Sequence, residues 1–535
     1  MRSRSAFLLA ALVAASLLVG PASPAAQPDS IALVQKGLAQ AVAAGRLDQS
    51  TASGYAAIAK KAVTESALIP PLRSQTLLQN LADVAVQWRA YDAPWSLTLF
   101  SMLAFNEQEL ASKPLPPSGT DRTGEDGILY RFVTGHGFEF HPLGAFGALN
   151  SLILAGQNDQ AQQLAEALVA RGLQKNASLV WAYPFPFGKG TAPWTSGMAQ
   201  AVAAQALARV GQAVSSQDLL NAAQQAYAAI PGKLDRSLPQ GPWIKLYSFD
   251  GAPVLNAQLQ TIVSLQDYAQ ITNDTNAAGL AAQLQSTAEA LLPQFDTGYW
   301  SLYSLKGEES PLSYHDYVVT LLRRLANRTQ DTTWSDYADK FHSYEEQPPV
   351  LNLSAASMPN ASAPVVIYPD PQDGYLDNTT YTFWLSKLST VTLHAGPGHT
   401  ARFAMSHGTR SITWWPGRRA PGTYYPYLTV VDPAGNTAKV SLRQVQIEPV
   451  RPPVVQAHVT GKRTLVWTGD DAGTPWLHLV VKLVGTKVRY RDLGRLGLSG
   501  RAVIPVPPGT WQATLVAGNS ARQAVVVQLG PVTGR

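Results

Sequence analysis

The sequence predicts a mainly α protein, an α/α toroid of helical hairpins, followed by all-β immunoglobulin-like sandwich modules. Three observations carry this expectation. Apolar residues recur at three- and four-residue spacing from Ile31 to about Phe341, the period of helices that bury one face. The spacers between such segments are as short as Ala155–Asp159 and Gly211–Ser215, so neighbouring helices run antiparallel. After Glu346-Gln-Pro-Pro349 the pattern changes to short β-type runs parted by turns such as Asp373-Gly374 and Asp432-Pro-Ala-Gly435. The hairpins share no clear repeat, which favours a closed ring over a regular repeat array.

Element by element, periodicity predicts helices over 33–44, 52–66, 74–89, 96–110, 144–155, 160–171, 196–210, 218–229, 254–271, 276–292, 314–325 and 334–344. Asn158 and Asp159 read as the start of one of them and Asn273 to Asn276 as the start of another. Two longer stretches, Lys113–His141 and Leu179–Trp194, interrupt the hairpins. Both are rich in Gly, Pro and aromatics, and loops of that length in a compact domain are usually functional. Strands are predicted over 365–368, 381–385, 390–394, 411–415, 424–431 and 438–446. A second set follows Arg451-Pro-Pro453, over 465–468, 478–483, 488–491, 502–506, 511–517 and 523–529. The expected domains are 28–346, 350–450 and 453–535, with residues 1–25 as a signal peptide.

That leader rests on Arg2 and Arg4, an apolar run from Ala6 to Val19, and small residues around Ala25. It predicts a secreted or cell-surface protein with no integral membrane segment once cleaved. Its removal lowers the formal charge from +5 to +3, because two arginines and no acid are lost. A mildly basic chain suits an anionic polysaccharide, and the absence of a Lys/Arg run argues against nucleic acid. There is no cysteine, so thiolate metal sites and cysteine nucleophiles are excluded. No two histidines share an i,i+4 face and no Asp-rich calcium loop is present, so no metal and no cofactor are expected. Oligomeric state is not legible, and a homodimer is left open.

Three tyrosines stand out in loops or at loop–helix junctions: Tyr247 in Trp243-Ile-Lys-Leu-Tyr-Ser, Tyr303 in Gly298-Tyr-Trp-Ser-Leu-Tyr-Ser-Leu-Lys306, and Tyr314 in Ser313-Tyr-His-Asp-Tyr317. A phenol can take or return a proton without a metal. With Gly135-His-Gly-Phe-Glu-Phe-His-Pro-Leu-Gly-Ala-Phe-Gly-Ala-Leu-Asn150, Trp181-Ala-Tyr-Pro-Phe185, Pro193-Trp-Thr-Ser-Gly-Met-Ala-Gln200 and Val254-Leu-Asn256, these motifs occur in an order that resembles the C-terminal catalytic domain of the D-glucuronyl C5-epimerase family, over roughly residues 120–345.

The resemblance implies inversion at C5 of a hexuronic acid within a polysaccharide. Tyr303, Tyr314 and Tyr247 would be the catalytic set. Lys306, standing where the family has Arg, would neutralise the substrate carboxylate. His315, Trp194, Gln200, Trp181, His136 and Asn256 would complete the substrate-binding set. C5 is α to a carboxylate, so its proton can leave if an enediolate is stabilised, and a second group must protonate the opposite face. An ordinary phenol sits about three pKa units above neutral, roughly 4 kcal/mol, so a nearby cation and hydrogen bonds are required. The sequence departs from the family at Lys245 and Leu246, Ser304 and Ser313, where the family carries acids. Glu308 and Glu309 are candidate replacements. Polysaccharide lyase and non-catalytic glycan binder are the alternative functions.

Overall fold

The computed structural model describes residues 29–359, 363–396, 398–470 and 473–534. The leader predicted over 1–25 lies outside the described residues. The chain divides into a helical unit ending at Glu345 and a β unit beginning at Glu346.

The helical unit opens with α1 (Ser30–Ala43), α2 (Gln49–Ser66), α3 (Pro71–Ala85) and α4 (Ala93–Ser112), packed on one another. Asp29, Asp48 and Asp92 start three of them by accepting backbone N–H groups that would otherwise lack partners. The later helices are α5 (Pro142–Leu154), α6 (Asn158–Val169), α7 (Gly197–Ala213), α8 (Gln217–Tyr227), α9 (Leu255–Thr272), α10 (Thr275–Leu291), α11 (Leu312–Thr329) and α12 (Thr332–Glu346). The α6 helix starts earlier than its sequence suggests. Asn158 is already helical, and Gln157 holds the cap position without a side-chain cap bond. Asp274 caps α10, inside the stretch read as its start.

Helices α5, α7, α9 and α11 lie side by side as an inner row, with α6, α8 and α10 behind them. Composition explains the order. The Ala-rich α7 and the amide-dotted α9 are buried nearly all round, whereas α8 and α10 bury one face. Because each outer helix carries the chain back, every inner helix starts at the same end of the unit. The loops entering α5, α7, α9 and α11 are therefore neighbours.

The stretch before α5 is not a loop but a three-stranded antiparallel sheet of β1 (Asp121–Thr123), β2 (Leu129–Val133) and β3 (Gly137–Phe140). Hairpins β4 (Leu173–Lys175) with β5 (Ser178–Val180), and β6 (Asp235–Leu238) with β7 (Gly241–Ile244), precede α7 and α9. Asp121, Arg131 and Glu139 are aligned across the three strands and so share a face. On β3, Glu139 is fully buried. One carboxyl oxygen takes a 2.9 Å hydrogen bond from Asn80 and the other has no partner among the described residues.

Burial, with Asp83 close by, raises the Glu139 carboxyl well above the ordinary carboxylate range. A carboxyl that is protonated when folded and ionised when unfolded makes stability fall as pH climbs from the usual glutamate range toward the raised folded value. Glu139→Gln is expected to flatten that slope, because a neutral amide carries no proton linkage and can also donate to the unpartnered Asn80 Oδ1. Denaturant titrations from pH 4 to 9 check this; an unchanged slope in the variant refutes it.

The β unit contains β8 (Leu351–Leu353), β9 (Val365–Ile367), β10 (Thr379–Leu385), β11 (Ser389–His394), β12 (Thr400–Met405), β13 (Gly408–Trp414), β14 (Gly422–Tyr424), β15 (Tyr427–Val431), β16 (Thr437–Ser441) and β17 (Val445–Ile447). Its sheets run β13-β10-β8, β12-β11-β15-β16 and β14-β17-β9. Tyr381, Phe383 and Trp414 from one sheet and Val391, Leu393, Leu428 and Val430 from another share one apolar core. Then follow β18 (Val455–Thr460), β19 (Thr464–Gly469), β20 (Leu477–Val484), β21 (Val488–Leu496), β22 (Ser499–Val503), β23 (Gly509–Gly518) and β24 (Ala524–Gly534) around a second core. The run expected over 424–431 is divided at Tyr425-Pro426. Pro426 has no N–H for a ladder, and the strands on either side of it belong to different sheets. The three-residue β8, together with β12 and β18, was not foreseen, although Val455-Gln-Ala-His-Val-Thr460 alternates apolar and polar residues.

Candidate active site

The loops entering the inner helices are held together by backbone bonds. Tyr183 and Trp194 pair as an isolated bridge, Gly197 N–H donates to Lys245 O, and Ser248 N–H donates to Thr195 O. Leu255 N–H donates to Tyr303 O and Leu305 N–H to Pro253 O. These bonds bring together the loops that carry Tyr247 and Tyr303, and Tyr314, in the first turn of α11, lies beside Tyr303. The Tyr247 and Tyr303 hydroxyl oxygens are 3.5 Å apart, and the Tyr303 and Tyr314 rings are 5.4 Å apart. A contact at 3.5 Å is a long hydroxyl pair of the kind that shortens when a ligand is bound.

Aromatic rings continue the cluster. Trp194 meets Tyr247 edge-on at 5.6 Å and stacks flat on Tyr183 at 3.9 Å. Phe187 and Phe249 flank Tyr247, with Phe249 open to solvent. Tyr183 in turn meets His141 edge-on at 5.3 Å, and His141 lies beside Arg131. Arg131 is close enough for its charge to act on the Tyr314 phenol. The side chains thus close a ring: Arg131, His141, Tyr183, Trp194, Tyr247, Tyr303 and Tyr314.

Burial is the largest influence on all four tyrosines of the ring, and it pushes Tyr183, Tyr247, Tyr303 and Tyr314 upward, so each is a neutral phenol at pH 7. Either hydroxyl of the Tyr247–Tyr303 pair can be the donor, and the Tyr314 ring adjoins that of Tyr303, so these three phenols are the candidate proton carriers.

The remaining sequence-expected residues divide. Trp194 joins the tyrosines, whereas Lys306 does not serve as their cation. Its ammonium is half exposed and held 2.7 Å from Asp250. His315 is a correction. It is fully buried, stacked 3.8 Å on Trp300, with Nδ1 at Ser301 Oγ (2.8 Å) and Nε2 at Phe341 O (2.9 Å), so both ring nitrogens are engaged by the core. Gln200 and Trp181 are corrected likewise. The Gln200 amide bonds Leu179 O, Ala226 O and Trp181 N, and the buried Trp181 indole donates to Leu168 O while packing on Phe146. Both brace loops and leave nothing for a sugar.

His136 lies on the turn between β2 and β3 and pairs with Asp83 at 2.6 Å, in the group that includes Asn80 and Glu139 rather than among the tyrosines. Asn256 is buried in the first turn of α9, and its Oδ1 has no partner among the described residues. Of the two candidate acids, Glu308 takes a short hydrogen bond from the Ser304 hydroxyl and acts on Tyr303 through its charge, whereas Glu309 is buried. The Glu308 carboxyl thus lies against Ser304, the position where the sequence departs from an acid.

Sequence reasoning missed Arg131. Its signal was present: it is the one charge in the apolar run Ile128-Leu-Tyr-Arg-Phe-Val133, and a buried charge needs a function or a partner. Among the described residues no cluster of three His, Asp or Glu is placed to hold a metal, and no helix is long and apolar enough to cross a membrane. A separate cleft of about 380 Å³, lined by Arg46, Asp48, Tyr55 and Pro94 among others, contains none of the ring residues.

Comparison with known proteins adds one specific finding. Residues 175–343 match the family model described as D-glucuronyl C5-epimerase C-terminus, a span that contains Tyr247, Tyr303 and Tyr314. No curated protein matches. Among solved structures, the chain is similar to cellobiose 2-epimerase from Bacillus thermoamylovorans B4167, at 9% identity over 54% of this chain and 77% of that one, TM-score 0.33. It is also similar to a sugar epimerase from a ruminal bacterium, at 10% identity over 55% and 77%, TM-score 0.33. An endoglucanase from Komagataeibacter sucrofermentans is similar at 14% identity over 37% and 71%, TM-score 0.29. Within the helical unit, residues 175–343 are thus similar to the C-terminus of D-glucuronyl C5-epimerase.

Proposed function

We propose that the protein inverts C5 of a hexuronic acid within a polysaccharide by tyrosine-mediated proton transfer. The observation that carries this is the meeting of Tyr247 and Tyr303 from two loops with Tyr314 from the first turn of α11, all within the family-matched segment. Tyr303 first gives up its phenol proton to solvent, and the phenolate so formed takes the C5 hydrogen as a proton. The C5–H electron pair moves into the carboxylate to give an enediolate. Tyr314 then delivers its own proton to the opposite face of C5, and the electron pair returns to form the new C–H bond. Tyr303 ends protonated and Tyr314 ionised, and solvent exchange resets both, so the sugar gains and loses one proton. Tyr247 sets its hydroxyl beside that of Tyr303, while the exposed Phe249 offers a face for stacking a sugar ring.

The inner and outer helix rows are read as an α/α toroid whose loop end carries the cleft, and the β unit as immunoglobulin-like modules that assist binding to an acidic polysaccharide outside the cell. Incubation with glucuronate- and iduronate-containing polymers in deuterated water tests the function. Deuterium at C5 with both epimers present supports epimerisation. An ultraviolet band from an unsaturated uronate identifies a lyase that shares the first step. No exchange on any polymer rejects both.

A further inference from the structure

We propose that the outer face of the β8–β10–β13 sheet, with Trp415 at its end and the Arg418–Arg419 turn beyond it, binds an extended carboxylate-bearing polysaccharide; this rests on the binding role proposed above for the β unit. Strand register defines the face. Thr380 lies opposite Thr413, Thr382 opposite Ser411 and Trp384 opposite Thr409, while Asn352 of β8 lies opposite Trp384. Tyr381, Phe383, Ile412 and Trp414 point into the apolar core, so the residues between them share the other side of the sheet.

That side is a row of hydroxyls. The Thr380 and Thr413 hydroxyls are 2.9 Å apart, as are those of Thr382 and Ser411. Each pair is joined by one hydrogen bond, and a hydroxyl has one donor and two lone pairs, so both pairs keep capacity for a ligand. The alternation continues one residue past β13: Thr413 is outside, Trp414 inside, and Trp415 outside and 54% exposed. Thr409 to Trp415 is a run of six residues, about 20 Å at roughly 3.4 Å each. A strip of that length fits an extended chain better than a small molecule. The exposed indole offers a rigid apolar plate to the C–H face of a sugar, and the hydroxyl row offers partners to its rim.

Charge selects the kind of sugar. Trp415 opens the turn Trp415-Pro-Gly-Arg-Arg-Ala-Pro421, which contains two arginines and no acid. Arg418 is 88% exposed, and its contact with Asp370 is a long surface pair at 3.8 Å that a ligand carboxylate can replace. Arg419 makes no ion pair among the described residues, and its Nε is buried without an acceptor. It stays close to the strand end, since its charge reaches His399, whose ring lies 6.3 Å from that of Trp414. A partly buried guanidinium without an acceptor is costly until an anion arrives, and its planar fork matches a carboxylate. A neutral glycan would leave Arg419 as it is, and an apolar partner would bury the hydroxyl row without satisfying it. A chain of sugars bearing carboxylates satisfies both.

The test uses the whole chain, with Trp415→Ala, the double variant Arg418→Gln with Arg419→Gln, and Tyr490→Ala as a control that removes a 61% exposed ring from β21, in the other β core. Calorimetric titration measures binding to polyglucuronate and to the same polymer with its carboxyls reduced to alcohols. Deuterium entry at C5 of a glucuronate tetrasaccharide measures the reaction, and thermal melting monitors the fold. The parent is expected to prefer the acidic polymer by at least about tenfold. Trp415→Ala and the arginine variant are each expected to lose about tenfold on it, as when an anchoring Trp or Arg is removed from an interface. The arginine variant is also expected to lose most of the preference for acid. Tyr490→Ala is expected to bind within threefold of the parent, and all variants to exchange tetrasaccharide within threefold of it.

If Trp415→Ala and the arginine variant bind polyglucuronate within threefold of the parent while exchange at C5 persists, the surface is wrong although C5 chemistry stands. If no protein exchanges but the parent prefers the acid and both variants lose affinity, the surface stands and the epimerase reading falls. Equal binding of the two polymers overturns the assignment of a carboxylate-bearing chain. A parent that neither exchanges nor binds polyglucuronate overturns both.

Discussion

Replacing Tyr303 by Phe is expected to lower deuterium entry at C5 by at least about a hundredfold, the worth of a positioned general acid or base, while leaving the fold intact. The change removes one oxygen. That oxygen's contact with another described side chain is the 3.5 Å approach to Tyr247, too long to hold the loop in place. The loop is held by the backbone instead: Tyr303 N–H donates to Glu308 O at 2.6 Å and Tyr303 O accepts Leu255 N–H at 3.2 Å. Neither bond depends on the side chain. The Tyr303 ring remains against Tyr314, so little packing is lost. Substrate binding is expected to change far less than turnover, because the hydroxyl acts on C5 and not on the polymer as a whole. Tyr314→Phe is expected to behave similarly, through the opposite face. Asymmetry between the two variants, measured from each epimer separately, would identify which tyrosine attacks which substrate. Near-parent turnover in both would show that the proton carriers are elsewhere in the ring.

The twelve helices were legible because a one-sided apolar stripe repeats every three to four residues, whether or not a helix lies in the inner row. The same pattern did not distinguish inner from outer helices at their ends, as the misplaced start of α6 shows. Nor could it reveal the sheet before α5. Strands of three to five residues buried on both faces, such as Leu129–Val133, have neither alternation nor length to mark them. For the site, motif order identified the three tyrosines. It said nothing of which neighbouring polar residues face the cleft. Gln200, His315 and Trp181 lie in the same kinds of motif as Trp194, yet their polar atoms are engaged by backbone N–H and carbonyl groups and, for His315, a core hydroxyl. Arg131 escaped notice because its partner Asp121 and its neighbours His141 and Tyr314 are brought to it by tertiary structure alone. Lys306 was chosen for its place in the motif, and the motif could not show that Asp250, fifty-six residues away in sequence, would reach it.

The largest stability effect is expected in the β unit, at an ion pair that no site uses. Lys387, in the turn between β10 and β11, is sealed from solvent with its ammonium 2.7 Å from Asp432 at the end of β15 and 2.5 Å from Gln347 O. The Asp432 carboxylate also receives Asn436 N–H and the Asn436 amide, at 2.8 and 3.0 Å. Every charge in the arrangement is compensated, so it costs little while whole. Removing one member leaves the other buried and unpaired, which typically costs about 3–5 kcal/mol. Lys387→Met or Asp432→Leu is accordingly expected to lower the melting temperature of the β unit by about 6–20 °C, given roughly 2–4 °C per kcal/mol for a unit of this size. The helical unit keeps its contacts, so helix-region circular dichroism should report its transition unchanged. The double variant Lys387→Met with Asp432→Leu removes both charges at once. If the single-variant losses come from a stranded charge, the double variant must be more stable than the sum of the two losses allows, and it can equal the parent. Strict additivity would mean instead that each side chain contributes through packing, and that the pair is an ordinary core contact.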